Sequence, residues 1–179
     1  QGKASASQSE RGHGQQDWDD AEGYYNAVIG ESIEVHDSPT SDDPQSVLRF
    51  RVDGLIGRGV FSTVLKVTTL SNPTSLAIPP TVAVKMIRSN ETMAKAATSE
   101  IRFLHQLRGS RGIIPLLLPT TVNPVEHRGH VMLVFPFSDY NMRDVLQKFG
   151  KGVGLSLPAV RSYFGQLLAA LTHLKKHGI

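Results

Sequence analysis

The chain has 179 residues, of which 40% are hydrophobic and 20% charged, enough for one folded core and a polar tail. It contains no cysteine, which excludes disulfides, a cysteine nucleophile and thiolate metal sites, and no apolar run approaches the roughly 18 residues of a membrane span. Residues 1–45 carry two basic and ten acidic residues, whereas the rest carries seventeen basic and six acidic ones. Because those basic residues are scattered, we do not expect direct nucleic-acid binding, and because no apolar run is long enough, we expect no membrane partner.

Residues 1–46 are predicted to form an acidic, largely disordered extension. Residues 1–16 are rich in Ser, Gln and Gly without apolar periodicity, so burial cannot offset the entropy of ordering them. The aromatic tag, residues 17–31, differs because it places three large rings among carboxylates: Trp18, Tyr24 and Tyr25. We expect the tag to dock on the adjacent domain or a partner, the alternative being an incidental aromatic cluster. Residues 32–45, with prolines at 39 and 44, are predicted to be a linker.

An α+β fold is predicted beyond residue 46. Residues 48–52 alternate apolar and polar as a half-buried strand does, and apolar or β-branched runs predict further strands at 64–68, 82–87 and 130–135. The strands are expected to form an antiparallel sheet of five.

Three helices accompany this sheet. The first is predicted over 90–108, with Asn90 as N-cap and Gly109 closing it. A short helix is expected over 141–149. A longer one follows Ser156 and carries one apolar face, made of Val160, Phe164, Leu167, Leu171 and Leu174.

Two glycines, Gly57 and Gly59, suggest a phosphate-binding turn. A dinucleotide-binding loop would lead into a helix, and a Walker loop would continue with Gly-Lys-Ser/Thr. Here Gly59 leads into a β-branched run that reads as a strand. The glycines are therefore predicted to cap a hairpin that covers nucleotide phosphates.

Lys85 and Glu100 are predicted to form an ion pair. Lys85 follows Val84 inside an apolar strand, where an ammonium is costly unless it is paired. Glu100 falls among the apolar residues of the first helix, which include Met93, Ala97, Phe103, Leu104 and Leu107. The alternative for Lys85 is an edge-strand lysine whose ammonium reaches water.

The apolar strand at 131–135 runs into a short connector before the second helix. This arrangement resembles the hinge of a protein kinase, which implies that adenine bonds to the carbonyl of Pro136 and the amide of Ser138, since the first contact requires no N–H from proline. An ordinary buried strand and turn is the alternative. The seven histidines suggest no metal site, because His173 and His177 have no acidic partner at metal-binding spacing.

These motifs together resemble a eukaryotic protein kinase domain. The resemblance implies an N-terminal lobe and hinge over 47–138, with a five-stranded antiparallel sheet and one helix, and the first helices of an incomplete helical lobe over 139–179. The third glycine of the family's loop is replaced by Ser62. The resemblance implies ATP and Mg²⁺ as cofactors, Lys85 and Glu100 as the catalytic pair, and nucleotide contacts from Ile56, Gly57, Arg58, Gly59, Val60, Phe61, Ser62, Val64, Ala83, Lys85, Phe135, Pro136 and Ser138.

Shorter segments are similar to the splicing-associated pre-mRNA-processing kinases, a branch beside the CLK and DYRK kinases of the CMGC group. They are Gly57-Arg58-Gly59-Val60-Phe61-Ser62, Ile87-Arg88-Ser89-Asn90-Glu91, Asn141-Met142-Arg143-Asp144-Val145-Leu146, Val160-Arg161-Ser162-Tyr163 and the aromatic tag. This resemblance implies a nuclear serine/threonine kinase that acts on spliceosomal tri-snRNP proteins.

Two functions remain open from the sequence. The 179 residues contain neither the kinase catalytic loop, with its base aspartate and metal-binding asparagine, nor Asp-Phe-Gly. The Mg²⁺ ligands are therefore expected outside this chain, and the chain alone is expected to be inactive. The first function is the ATP-binding portion of an active kinase; the second is a truncated or pseudokinase-type module that binds nucleotide or a partner without catalysis.

Overall fold

The computed structural model describes residues 18–36, 47–71 and 76–179. The disorder expected for residues 1–16 and most of the predicted linker lie outside the described residues. The strands are β1 (Ser32–His36), β2 (Val47–Arg58), β3 (Ser62–Ser71), β4 (Thr81–Ile87), β5 (Val125–His127) and β6 (His130–Pro136). The helices are α1 (Glu91–Gln106), α2 (Met142–Gly150) and α3 (Leu157–Lys176).

The strands form one antiparallel sheet in the order β1-β2-β3-β4-β6-β5. The sheet curls so far that its two edge strands meet, with the Nδ1 of His127 on β5 lying 3.4 Å from the carbonyl oxygen of Glu34 on β1. The α+β arrangement of an antiparallel sheet with helices is therefore the one predicted.

β1 corrects the sequence analysis, which assigned residues 32–45 to a linker and counted five strands. Ile33 pairs with Phe50 and Val35 with Leu48, and both β1 side chains are buried. The described sheet thus has six strands. The four strands that the sequence analysis located are β2, β3, β4 and β6, whereas it expected a fifth strand without locating β5. A five-residue alternation is too short to stand out by itself, and only pairing with β2 buries its apolar side.

The two faces of the sheet pack against different partners. On one face, Val82, Val84 and Met86 of β4 join Phe50, Leu65 and Tyr25 in the larger core. The opposite face packs against α1, whose buried residues are Ala97 and Ile101. Because successive strand residues point to opposite faces, Lys85 lies on the face that α1 covers.

The first two helices start at side-chain N-caps. The side chain of Asn90 accepts hydrogen bonds from the backbone amides of Thr92 and Met93, as expected of the N-cap of α1. Asn141 and Asp144 form a reciprocal capping box at the start of α2.

α3 touches the rest of the fold lightly, through Ala170, which packs on Gly112, and through a bond between His173 and Ser110. Much of its predicted apolar face is exposed, including Phe164 at 58% and Leu171 at 51%. Among the described residues, no helix combines the length and hydropathy needed to cross a membrane.

Candidate active site

The two glycines lie in the hairpin that joins β2 to β3, so the strand–turn–strand prediction is confirmed. The amide of Gly59 donates to the carbonyl of Ser62 at 2.9 Å and closes this turn, residues 57–62, which we call the glycine turn. A Cβ added at Gly57 or Gly59 would meet nothing within 4 Å. Packing inside the protein therefore does not require glycine at either position, whereas close approach of a ligand to the backbone would.

Lys85 and Glu100 meet between the sheet and α1. The Nζ of Lys85 lies 2.7 and 2.8 Å from the two carboxylate oxygens of Glu100. The side chains are 24% and 39% exposed, so the pair borders solvent rather than lying in a dry core. A cavity of about 220 Å³ adjoins it, lined also by Phe61 from the glycine turn and by Met93 and Ala97 from α1.

One part of the α1 prediction is wrong. Phe103, which the sequence analysis placed on the buried face, is 46% exposed, whereas Ile101 is fully buried. The buried stripe is thus rotated towards Ala97 and Ile101, and Glu100 lies at its edge. From this edge the carboxylate reaches Lys85 while remaining partly hydrated.

The register of the strands sets which predicted residues share a face with Lys85. Val64 on β3 and Leu133 on β6 are its direct cross-strand partners. Ala83, two residues before Lys85 on β4, pairs with Phe135 in the same way. Directly paired residues point to the same face, so Val64, Ala83 and Phe135 lie on the side of the sheet that carries Lys85.

The predicted hinge lies where β6 ends. Pro136 is the last residue of β6 and pairs with Val82. Beyond it, Phe137 and Ser138 face Ile56 of β2 across a cleft of about 300 Å³. The ammonium of Lys66 lies 4.6 Å from the ring centroid of Phe137, a cation–π contact that holds the ring beside the cleft.

Arg58, a predicted nucleotide contact, directs its side chain away from these cavities. Its guanidinium lies 2.5 Å from the Asp20 carboxylate and 3.6 Å from that of Glu22. The hydrogen bond that Arg58 donates to Asp20 raises the pKa of Arg58, and the bonds from the Tyr24 amide and the Arg58 guanidinium lower the pKa of Asp20. The side chain of Arg58 is thus engaged by the aromatic tag.

Comparison with known proteins identifies similar chains. The serine/threonine-protein kinase prp4 of Schizosaccharomyces pombe is 33% identical over 162 residues, which cover 90% of this chain and 30% of the relative. The serine/threonine-protein kinase prpf4B of Dictyostelium discoideum is 30% identical over 172 residues, which cover 90% of this chain and 18% of the relative. No model of a protein family matches the sequence.

The chain is similar to serine/threonine protein kinases over 90% of its own length. It spans less than a third of the length of these curated kinases. The similarity covers nearly all of this chain, and its antiparallel sheet with three helices is consistent with a kinase-type fold.

The described part of this chain contains no group of three or more His, Asp or Glu side chains that could hold a metal ion. The ring of His173 on α3 lies 4.5 Å from that of His177, which follows the helix, and a hydrogen bond joins Ser110 to His173.

Sequence reasoning missed how the aromatic tag meets the kinase fold. It expected a docking segment, and Tyr25 is indeed 3% exposed and part of the larger core. It did not foresee that Asp20, Glu22 and Tyr24 contact the glycine turn. The signal available was the aromatic tag itself, because three rings among carboxylates are unusual in a tail that stays solvated.

Proposed function

We propose that this chain is the ATP-binding portion of a protein serine/threonine kinase. In its full-length form the protein would transfer the γ-phosphate of ATP to Ser or Thr of pre-mRNA splicing proteins. The observation that carries the proposal is the Lys85–Glu100 ion pair, which lies on the sheet face behind the glycine turn. An ammonium held this way is positioned to bind the α- and β-phosphates of a nucleotide.

The other predicted residues are assigned to parts of ATP by their place along this face. Gly57 and Gly59 leave room for phosphates beneath the turn, and Val64 and Ala83 offer an apolar surface to the adenine ring. The backbone of Pro136 and Ser138 would bond to the adenine edge beside the cleft that Ile56 borders. The Mg²⁺ that neutralises phosphate charge in kinases would take its ligands from outside this chain.

The splicing role, the tri-snRNP proteins as substrates or partners and the nuclear location are part of the proposal. They are supported by the resemblance of the short motifs and the aromatic tag to the pre-mRNA-processing kinases. The similarity to proteins named prp4 and prpf4B agrees with that branch.

The test uses the intact protein with Mg²⁺, labelled ATP and a tri-snRNP protein as acceptor. We expect label on Ser or Thr, loss of transfer in Lys85→Met, and retention in the matched variant Lys95→Met. Lys95 lies on the exposed side of α1, the helix that carries Glu100, and its Nζ lies 2.6 Å from the Glu91 carboxylate. The loss of Lys95 therefore leaves the cavity unchanged.

Three outcomes would change the proposal. Nucleotide binding without transfer would favour the alternative of a binding module without catalysis. Transfer that survives Lys85→Met would remove that lysine from the site. Transfer by residues 1–179 alone would show that the missing catalytic-loop motifs are not needed, contrary to our expectation.

A further inference from the structure

We propose that residues 18–31 form an intramolecular strap that holds the glycine turn in position, with Tyr24 and Asp20 as positioning residues for nucleotide binding. The proposal rests on the proposed function, because it assigns the strap a role at the same site. It extends that function by making a segment outside the predicted domain part of the ATP site.

The strap contacts the glycine turn through three groups. The hydroxyl of Tyr24 donates to the carbonyl of Val60, at the tip of the turn, at 3.0 Å. The guanidinium of Arg58 lies 3.9 Å from the centroid of the Tyr24 ring, a cation–π distance. Asp20 and Glu22 pair with the same guanidinium. The strap therefore holds the side chain of Arg58 through ion pairs and a cation–π contact.

Hydrogen bonds to the Asp20 side chain close a turn within the strap, over residues 20–24. One carboxylate oxygen of Asp20 accepts from the backbone amides of Glu22 and Tyr24, at 3.0 and 2.9 Å. The other carboxylate oxygen bonds to Arg58. Asp20 thus fixes the shape of the strap and its grip on the glycine turn with one side chain.

The same turn is attached to the junction between β4 and α1. The amide of Ser89 donates to the carbonyl of Gly23 at 2.7 Å, and Arg88 donates to the carbonyl of Glu22. Gly23 has a φ of +80°, and a Cβ there would lie 3.1 Å from the carbonyl oxygen of Ser89, so the close approach requires glycine. The strap consequently ties the glycine turn to the segment that links the strand of Lys85 to the helix of Glu100.

The two ends of the strap are anchored at the β5–β6 turn. Arg128 donates to Glu31 at 3.0 Å and to the Tyr25 hydroxyl at 3.2 Å, and its guanidinium lies 3.4 Å from the Trp18 ring centroid. Asp19 bonds to the fully buried ring of His130. Because Tyr25 belongs to the larger core and His130 is fully buried, these contacts fix the strap to the folded part of the chain.

The glycine turn needs such a support. Val60 and Phe61 at its tip are 65% and 57% exposed, so their side chains hold the turn only weakly. A glycine-rich hairpin tip loses much conformational entropy when it is ordered by a ligand. Pre-ordering the turn removes part of that cost and raises affinity without adding a contact to the ligand.

The decisive variant is Tyr24→Phe in the intact protein. It keeps the ring, its packing and its cation–π contacts and removes only the hydroxyl that bonds to Val60. Because a neutral hydrogen bond contributes about a fivefold factor, we expect the KM for ATP to rise about fivefold while kcat changes less than about twofold. Hydrogen exchange at residues 57–62 should become faster.

Asp20→Asn and Arg58→Gln test the second contact. Each should raise the KM for ATP, and the double variant should show less than the product of the two effects, because both remove the same ion pair. Asp20→Glu should restore part of the affinity. The matched control is Glu34→Gln on β1, which removes an exposed pair with Arg49 at 2.7 Å and contacts no part of the glycine turn.

Normal ATP binding with unchanged KM and unchanged exchange at residues 57–62 in Tyr24→Phe and Asp20→Asn would overturn the strap. Equal effects in Glu34→Gln would overturn it as well, because the loss would then be one of general stability. If the unchanged protein bound no ATP, the proposed function would fail, and the exchange comparison would still decide whether the strap orders the turn.

Discussion

The two carboxylate oxygens of Glu100 lie 2.7 and 2.8 Å from the ammonium of Lys85, although fourteen residues separate the two in the sequence. β4 places the lysine on the face covered by α1, and α1 places the glutamate at the edge of its buried stripe. The distance between Lys85 and Glu100 therefore depends on the position of α1 relative to the sheet. A shift of α1 away from the sheet would separate the two side chains. This geometry leads to the first prediction.

Glu100→Gln should weaken nucleotide binding about tenfold in the intact protein, because charge-assisted hydrogen bonds contribute more than neutral ones and Lys85 would lose its fixed position. Titration with a fluorescent ATP analogue measures the change. The matched variant Glu91→Gln removes an exposed charge that also pairs with a lysine, Lys95, and should bind normally. A similar loss in both variants would point to the helix rather than the ion pair.

Asn90→Ala should lower the free energy of unfolding by about 1 kcal/mol, because two backbone amides at the start of α1 lose their acceptor. The transition temperature should fall by about 2–4 °C for a protein of this size, which a calorimetric scan would detect. Asn90→Ser, which retains a capping oxygen, should recover most of the loss. An unchanged transition in Asn90→Ala would mean that packing alone fixes the start of α1.

Stability should fall on acidification in part through His127. Burial, followed by the nearby charge of Arg128, lowers the pKa of this histidine. The folded state then binds fewer protons than the unfolded state between the lowered pKa and about 6.5, so the His127 contribution is present above about pH 6.5 and is lost as the pH falls through that window.

His127→Gln removes this titration and retains an amide that can donate to the Glu34 carbonyl. Urea unfolding at about pH 7.5 and 5.5 should show a smaller loss of stability in this variant than in the unchanged chain. His36→Gln, at an exposed position of β1, serves as the control. Identical pH dependence in all three proteins would exclude His127 as a contributor.

The apolar face of α3 should cause residues 1–179 to self-associate. Val160, Phe164, Leu167 and Leu171 are 46–58% exposed, and an apolar stripe of this kind promotes association. Sedimentation should detect larger species at high concentration, and Phe164→Glu with Leu171→Glu should reduce them. Ala169→Glu, on another exposed side of α3, should not. A chain that stays monomeric at every concentration would contradict the prediction.

Much of the site was predictable because its signals are local. A Gly-x-Gly followed by a β-branched run specifies a hairpin, and Asn90 before an amphipathic run specifies the start of a helix. The pairing of Lys85 with Glu100 followed from the cost of placing either charge alone on an apolar face. The face of α1 was less certain, because Phe103 and Ile101 are both apolar and periodicity alone does not decide which is buried.

By itself, the sequence determined the order of β2, β3, β4, α1 and β6, the glycine turn and the residues that carry charge at the site, since periodicity, turns and caps act over a few residues. Only the tertiary structure decided that β1 joins the sheet, that Arg58 turns to Asp20 and that Tyr24 reaches Val60. These contacts join residues up to 38 positions apart. Their energy comes from surfaces that meet only after the sheet has formed, so no local pattern specifies them.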